Sequence, residues 1–143
     1  MKCTTLTEFQ DEARRFTATL QPREDRATLV TLSGELGAGK TTFVQTVASS
    51  LGIIEDVTSP TFVIEKVYAL QDQTFERLIH IDAYRLHEVH ELEVLGWKEL
   101  IADPGNLIML EWPEKVAPII PEHALRLRFD IQGDGRIITL DGN

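Results

Sequence analysis

A glycine-rich loop carries the residue types that bind a nucleoside triphosphate. Gly34, Gly39, Lys40 and Thr41 match the pattern G-x-x-x-x-G-K-[ST]. Glycines in such a loop leave room for backbone N–H groups to point at phosphate oxygens, because no Cβ stands in the way. The lysine offers a positive charge to the β- and γ-phosphates, and the threonine offers a hydroxyl to Mg²⁺. The predicted nucleotide contacts of the loop are Glu35, Leu36, Gly37, Ala38, Gly39, Lys40, Thr41 and Thr42.

Two acidic residues at the ends of apolar segments could complete a metal site. Glu111 directly follows the apolar residues 107–110, and strand ends of this kind border the ligand crevice of an open α/β sheet. It could bind Mg²⁺ directly, bind it through water, or position the attacking water. Alternation along a strand places His80, Asp82 and Tyr84 on one face. Asp82 could therefore join the Mg²⁺ shell or orient water.

Three further polar residues have both a functional and a structural interpretation. We expect His80 to be a hydrogen-bonded buried histidine rather than a proton carrier, since phosphoryl transfer needs little acid–base help. Arg85 could stabilise charge on the γ-phosphate or pair with a nearby acid. Thr61, within the S-P-T-F segment, could be a switch threonine that meets Mg²⁺ and the γ-phosphate, or a hydroxyl at the start of a strand.

The choice of nucleotide rests on motifs that the chain lacks. It contains no N-K-x-D guanine motif, and its D-x-x-G sequence at residues 130–133 falls in a late hairpin. The sequence therefore favours ATP over GTP. A small-molecule kinase usually needs a basic lid segment, which we do not find, and it remains an alternative. A binding module that needs nucleotide but not hydrolysis is the other alternative.

The elements around the loop predict an α/β fold. Residues 27–32 form an apolar strand before the loop, and residues 41–51 have a helical apolar stripe after it. Residues 62–70 and 74–81 indicate an antiparallel hairpin, and residues 125–131 and 136–141 a second one. We expect a P-loop NTPase-like three-layer sandwich whose mixed, mostly parallel sheet carries an antiparallel hairpin addition.

Two helical patterns lie outside this strand framework. The first covers residues 8 to about 20 and opens with a capping-box pattern, Thr7-x-x-Gln10. The second begins at Tyr84 and continues through Val89, Leu92 and Leu95. Both predict amphipathic helices that cover the sheet.

Length and charge limit the function further. A chain of 143 residues fits one domain, 1–143, and no apolar run approaches the ~20 residues of a membrane span. The first residues lack the apolar core of a secretory signal, and Cys3 has no partner cysteine, so we expect a cytoplasmic protein without membrane contact. The net charge of -9 argues against binding nucleic acid alone. A partner would hold any such substrate.

Several motifs in order resemble one family. These are the glycine-rich loop, S-P-T-F at 59–62, H-I-D-A-Y-R-L at 80–86, E-L-E-V-L-G at 91–96 and E-W-P at 111–113. Together they resemble TsaE, the bacterial ATPase family of tRNA threonylcarbamoyladenosine biosynthesis, from about Leu6 to Ile138. The resemblance implies a small cytoplasmic ATPase that acts with a catalytic carbamoyl-transfer subunit and that subunit's inactive paralogue, and that meets tRNA through these partners.

The resemblance also implies roles for individual residues. Lys40 and the loop amides would bind phosphates, Thr41 and Glu111 would bind Mg²⁺, and Asp82 would belong to the hydrolytic site. Thr61 would lie in a switch-like segment. Contacts to the base or sugar would come from the segment near Thr7 and from the last hairpin near Arg136.

Overall fold

The structure is a computed structural model that describes residues 2–54, 65–86 and 88–141. Its strands are β1 Lys2–Cys3, β2 Thr28–Gly34, β3 Glu65–Ala69, β4 Arg77–Asp82, β5 Asn106–Glu111, β6 Leu125–Gln132 and β7 Gly135–Asp141. Within these described ranges, the strands form one sheet in the order β1-β7-β6-β2-β5-β4-β3. The strand before the glycine-rich loop, β2, therefore lies at the centre of the sheet.

The sheet is mixed, as the sequence predicted. Strands β4, β5, β2 and β6 pair in parallel, with β2 between β5 and β6. Antiparallel pairs flank this core: β3 with β4 on one side, and β6 with β7 and β7 with β1 on the other. Both predicted hairpins are confirmed. The parallel arrangement brings the carboxyl ends of β2, β4 and β5 to the same edge.

Helices cover both faces of the sheet and give three layers. They are α1 Leu6–Thr19, α2 Lys40–Ser50, α3 Val89–Val94, α4 Trp97–Ala102 and a 3₁₀ helix, Pro113–Ile119. One core contains side chains of α1 and α2 packed on the sheet, and the other contains side chains of α3, α4 and the 3₁₀ helix. The α/β class and the three layers are therefore confirmed.

An aromatic cluster fixes α2 against α1 and the sheet. The ring of Phe43 on α2 lies 6.1 Å from that of Phe9, 5.7 Å from that of Phe16 and 5.3 Å from that of Phe129 on β6. Aromatic pairs of this kind contribute about 0.5–1.5 kcal/mol each beyond their burial. The helix that follows the glycine-rich loop is thus held in place by three neighbours.

Two helix starts differ from the sequence prediction. The capping box of α1 is formed by Thr5 and Glu8: Thr5 Oγ1 accepts from the Glu8 backbone N–H at 3.1 Å, and Glu8 Oε1 accepts from the Thr5 N–H at 3.1 Å. The predicted capping box at Thr7 was wrong. The box that forms places the Glu8 carboxylate in the first turn, where it also stabilises the helix dipole. Helix α3 begins only after Glu88, which caps it, whereas Tyr84 lies in a turn after β4.

A candidate nucleotide site at the carboxyl edge of the sheet

The glycine-rich loop joins β2 to α2 in a conformation that needs glycine at two positions. Gly34 has a φ of 144°, and a Cβ there would lie 2.4 Å from the carbonyl oxygen of Phe129. Gly39 has a φ of 106°, and a Cβ there would lie 2.7 Å from the ring of Phe9. Residues other than glycine rarely adopt such φ values. The loop is therefore packed closely on the sheet and on α1.

Lys40 is buried beneath the loop at the start of α2. Its side chain donates to the carbonyl oxygens of Gly34 and Glu35, the second at 3.4 Å. Its Nζ lies 3.7 Å from the centre of the Trp112 indole ring, which is a cation–π contact. Loop carbonyls and an aromatic face thus hold the ammonium group in a site that is 5% exposed.

Burial and nearby carboxylates shift the pKa of Lys40 in opposite directions. Burial lowers the pKa of Lys40, because removing water disfavours the charged form. Four carboxylates oppose this shift, in the order Glu111, Glu114, Asp82 and Glu35. The cation therefore faces a cluster of negative charge in a poorly solvated place, where electrostatic interactions are strong.

The predicted metal-binding pair is in contact. Thr41 Oγ1 lies 3.3 and 3.4 Å from the two carboxylate oxygens of Glu111. Thr41 is the second residue of α2, and Glu111 is the last residue of β5 and is 2% exposed. The structure therefore brings the start of α2 and the end of β5 together at this pair.

The residues of the H-x-D sequence reach the same edge from β4. Asp82 and Glu111 are register partners on the parallel strands β4 and β5. Asp82 Oδ1 accepts the Tyr84 backbone N–H at 2.9 Å, which closes the turn after β4. His80 is fully buried, and its Nε2 lies 2.5 Å from Glu111 Oε2. The expected buried, hydrogen-bonded histidine is therefore present.

Trp112 adds a feature that the sequence left unassigned. Its φ is 61°, and its backbone N–H donates to the carbonyl oxygen of Leu32 at 3.1 Å. The centre of the indole ring lies 5.0 Å from that of the Tyr84 ring and 3.7 Å from Lys40 Nζ. The signal available in the sequence was an aromatic residue directly after the candidate metal carboxylate.

A groove of about 250 Å³ lies beside the loop. Its lining consists of Cys3, Thr4, Thr5, Leu6, Phe9, Gly37, Gly39, Thr42, Asp134 and Arg136. Arg136 Nη2 also donates to the Gly37 carbonyl oxygen at 3.4 Å. Thr7 is exposed in the first turn of α1 and is absent from this lining, whereas the three residues before it are present. Arg136 was predicted from the sequence to contact the base or sugar, whereas Thr4 and Thr5 were not.

The remaining predicted residues have varied placements. Glu35, Leu36, Gly37 and Ala38 form the turn of the loop, and Thr42 lies in the first turn of α2. Arg85 is exposed in the turn after β4. Thr61, with the rest of the S-P-T-F segment, lies outside the described residues.

The loop and helix fit a triphosphate with Mg²⁺. The first N–H groups of an α-helix have no partner within the helix, and Gly39, which caps α2, supplies no side chain for them. A Cβ placed on Gly37 would meet no atom within 4 Å, so this side of the loop is open. In the described ranges, no group of three or more His, Cys, Asp or Glu side chains is arranged for a metal ion. Mg²⁺ needs no such group, because phosphate oxygens and water complete its shell.

The family follows from comparison with known proteins. The family model described as "Threonylcarbamoyl adenosine biosynthesis protein TsaE" matches residues 4–138. The chain belongs to the TsaE family. A TsaE protein of Treponema pallidum is 37% identical over 132 residues, which cover 92% of this chain and 93% of that protein. One of Borreliella burgdorferi is 40% identical over 112 residues, covering 78% and 79%. Both relatives are named tRNA threonylcarbamoyladenosine biosynthesis protein TsaE.

A solved structure supports the same fold for this TsaE family member. The crystal structure of Bacillus subtilis YdiB superimposes with a TM-score of 0.77 at 29% identity and covers 98% of this chain and 82% of that one. The described helices include none that is long and apolar enough to span a membrane.

Proposed function

We propose that the chain is a Mg²⁺-dependent ATPase required for threonylcarbamoyladenosine modification of tRNA in the cytoplasm. It binds ATP at the glycine-rich loop, and its hydrolysis resets the complex that transfers the carbamoyl group. Family membership supports the pathway. The observation that carries the ATPase role is a contact made by the residue that follows Lys40. Thr41 Oγ1 lies 3.3 Å from the buried carboxylate of Glu111.

The side chains divide the work of phosphoryl transfer. The N–H groups of the loop and of the first turn of α2 hold the phosphates, and the helix dipole favours their negative charge. Lys40 leaves its carbonyl partners to stabilise charge on the γ-phosphate. Thr41 and Glu111 hold Mg²⁺, which when bound neutralises charge on the phosphate oxygens. Asp82, the register partner of Glu111, orients the attacking water.

The nucleoside occupies the groove beside the loop. Arg136 and Asp134 line this groove together with the segment Thr4 to Leu6. The volume of about 250 Å³ suits part of a nucleoside. Gly37 and Gly39 belong to the loop and also line the groove. A triphosphate bound in the loop therefore directs its sugar into the groove.

The partners are a catalytic carbamoyl-transfer subunit and its inactive paralogue, which hold the tRNA. The net charge of -9 supports this division, since a subunit with this charge repels an RNA backbone. Thr61 is the proposed switch threonine, which would meet Mg²⁺ and the γ-phosphate. Apart from Arg85, the sequence offers no evident arginine finger, so the partners complete the site and isolated turnover is slow.

The test compares ATP hydrolysis by the chain alone with hydrolysis in the presence of both partner subunits. We expect a marked increase with the partners. Equal rates would contradict the proposed coupling. The same assay without tRNA shows whether the partners alone are sufficient.

The substitution Glu111→Ala separates the ATPase from the two alternatives. Loss of hydrolysis and of tRNA modification, with ATP still bound although with a weaker dependence on Mg²⁺, supports the ATPase. Retained modification without hydrolysis would favour a nucleotide-dependent binding module. Transfer of labelled γ-phosphate to a small molecule rather than to water would favour a kinase.

A further inference from the structure

His80 is buried and contacts the candidate site through Glu111. It is 0% exposed on β4, and its Nε2 lies 2.5 Å from Glu111 Oε2 on the neighbouring strand. The register pairs His80 with Met109 and Asp82 with Glu111, so the hydrogen bond crosses the two strands diagonally. Strand pairing therefore fixes the imidazole next to the carboxylate.

The direction of this hydrogen bond follows from the chemistry of the two groups. An ionised carboxylate only accepts hydrogen bonds, so Nε2 carries the proton and donates it. Nδ1 of His80 is buried and has no hydrogen-bond partner among the described residues. The ring is thus oriented by a single strong contact, with Glu111.

Glu111 needs this donor because it is almost completely buried. A buried carboxylate is costly unless hydrogen bonds satisfy it. The Glu111 carboxylate lies 3.3 and 3.4 Å from Thr41 Oγ1 and 2.5 Å from His80 Nε2. The contact with His80 is the shorter one and is made to Oε2, so His80 holds that oxygen more closely than Thr41 does.

We infer that His80 is a positioning residue for the Thr41–Glu111 pair: its Nε2–H holds Glu111 in the orientation that binds the metal ion. This inference rests on the proposed function, since it concerns how the proposed metal ligand is held. Outer hydrogen bonds of this kind change metal affinity about 10–100-fold when they are removed. A histidine that only filled the core would change stability and leave metal affinity unaltered.

The experiment compares two replacements of His80. His80→Leu fills similar space without a donor, and His80→Gln keeps an N–H donor near the position of Nε2. The control is Leu78→Ala, which removes a fully buried side chain two residues earlier on the same face of β4. The measurements are the half-saturating Mn²⁺ concentration with bound ADP, by electron paramagnetic resonance, and the melting temperature.

The role predicts a separation of the two measurements. His80→Leu raises the half-saturating Mn²⁺ concentration about 10–100-fold, and His80→Gln restores most of the affinity. Leu78→Ala lowers the melting temperature and leaves Mn²⁺ affinity near that of the wild type. Unchanged Mn²⁺ affinity in His80→Leu, or equal losses in His80→Leu and Leu78→Ala, would overturn the positioning role alone. A wild-type protein that binds no Mn²⁺–ADP would overturn the proposed function and this role with it.

Discussion

Thr41 Oγ1 and the carboxylate of Glu111 lie 3.3 Å apart although 70 residues separate them in the chain. The contact joins the first turn of α2 to the end of β5. It exists because β2 and β5 are adjacent parallel strands, so the loop after one strand meets the end of the other. The two side chains therefore act at one point.

A double-mutant cycle on this pair should be strongly non-additive. Thr41→Ala and Glu111→Gln each weaken Mg²⁺-dependent ATP binding, and the double variant should be little worse than the weaker single variant. Residues in contact commonly show interaction energies of about 0.5–3 kcal/mol. The measurement is the Mg²⁺ dependence of ATP affinity by calorimetry. Thr41→Ala combined with Arg128→Ala, which alters a remote surface pair, is the additive control.

Alanine at Gly39 should destabilise the protein more than alanine at Gly37. Both glycines have positive φ, 106° and 84°, so both replacements strain the backbone. Only a Cβ on Gly39 would also collide with a ring, that of Phe9 at 2.7 Å. The extra loss from overpacking should be about 1–3 kcal/mol. Urea unfolding of the two variants measures it, and equal free energies of unfolding would contradict the packing argument.

Arg136→Ala should raise the KM for ATP with little change in kcat. Arg136 lines the groove beside the loop, whereas Thr41 and Glu111, the proposed metal ligands, do not, so we expect it to contribute uniform binding. Inorganic tripolyphosphate should bind the variant as well as the wild type, because it has no nucleoside. Arg128→Ala on the same hairpin is the control, since Arg128 pairs with Asp130 and Asp141 at the surface. Equal loss of tripolyphosphate binding would place Arg136 at the phosphates instead.

His123 should make the protein less stable in mild acid. Burial, followed by the charges of Arg26 and Arg23, lowers the pKa of His123 below its ordinary value of 6.5. The unfolded chain therefore binds more protons than the native state just below pH 6.5, and the free energy of unfolding falls as pH decreases through this window. In His123→Gln this contribution should disappear. Urea midpoints measured from about pH 7.5 to 5 test this, and identical pH profiles would contradict it.

The sequence could predict the candidate site residues that belong to a short local motif or that directly follow an apolar strand. Lys40 and Thr41 follow from the loop pattern, and Glu111 follows from its position after an apolar strand. These assignments need only the rule that parallel strand ends border a crevice. The partner of His80, by contrast, depends on the register of β4 and β5, which no local pattern encodes.

Other structural features were not predicted, because their sequence signals are short or ambiguous. Strand β1 has two residues, too few for a periodic pattern, and it exists through pairing with Arg136 and Ile137. Two overlapping patterns, at Thr5 and at Thr7, both suit a capping box, and the sequence does not rank them. The positive φ of Trp112 is a single-residue conformation that a tryptophan rarely adopts.

The pairing of β1 with β7 has a consequence for the order of folding. Thr4 and Arg136 line the same groove, so its lining joins the start of the described chain to a residue from near its end. Closing so long a loop is slow and entropically costly compared with the short connection between β2 and α2. During synthesis, β1 cannot join the sheet before β7 has been made. The groove beside the glycine-rich loop is therefore a late product of folding, assembled after β2 and α2.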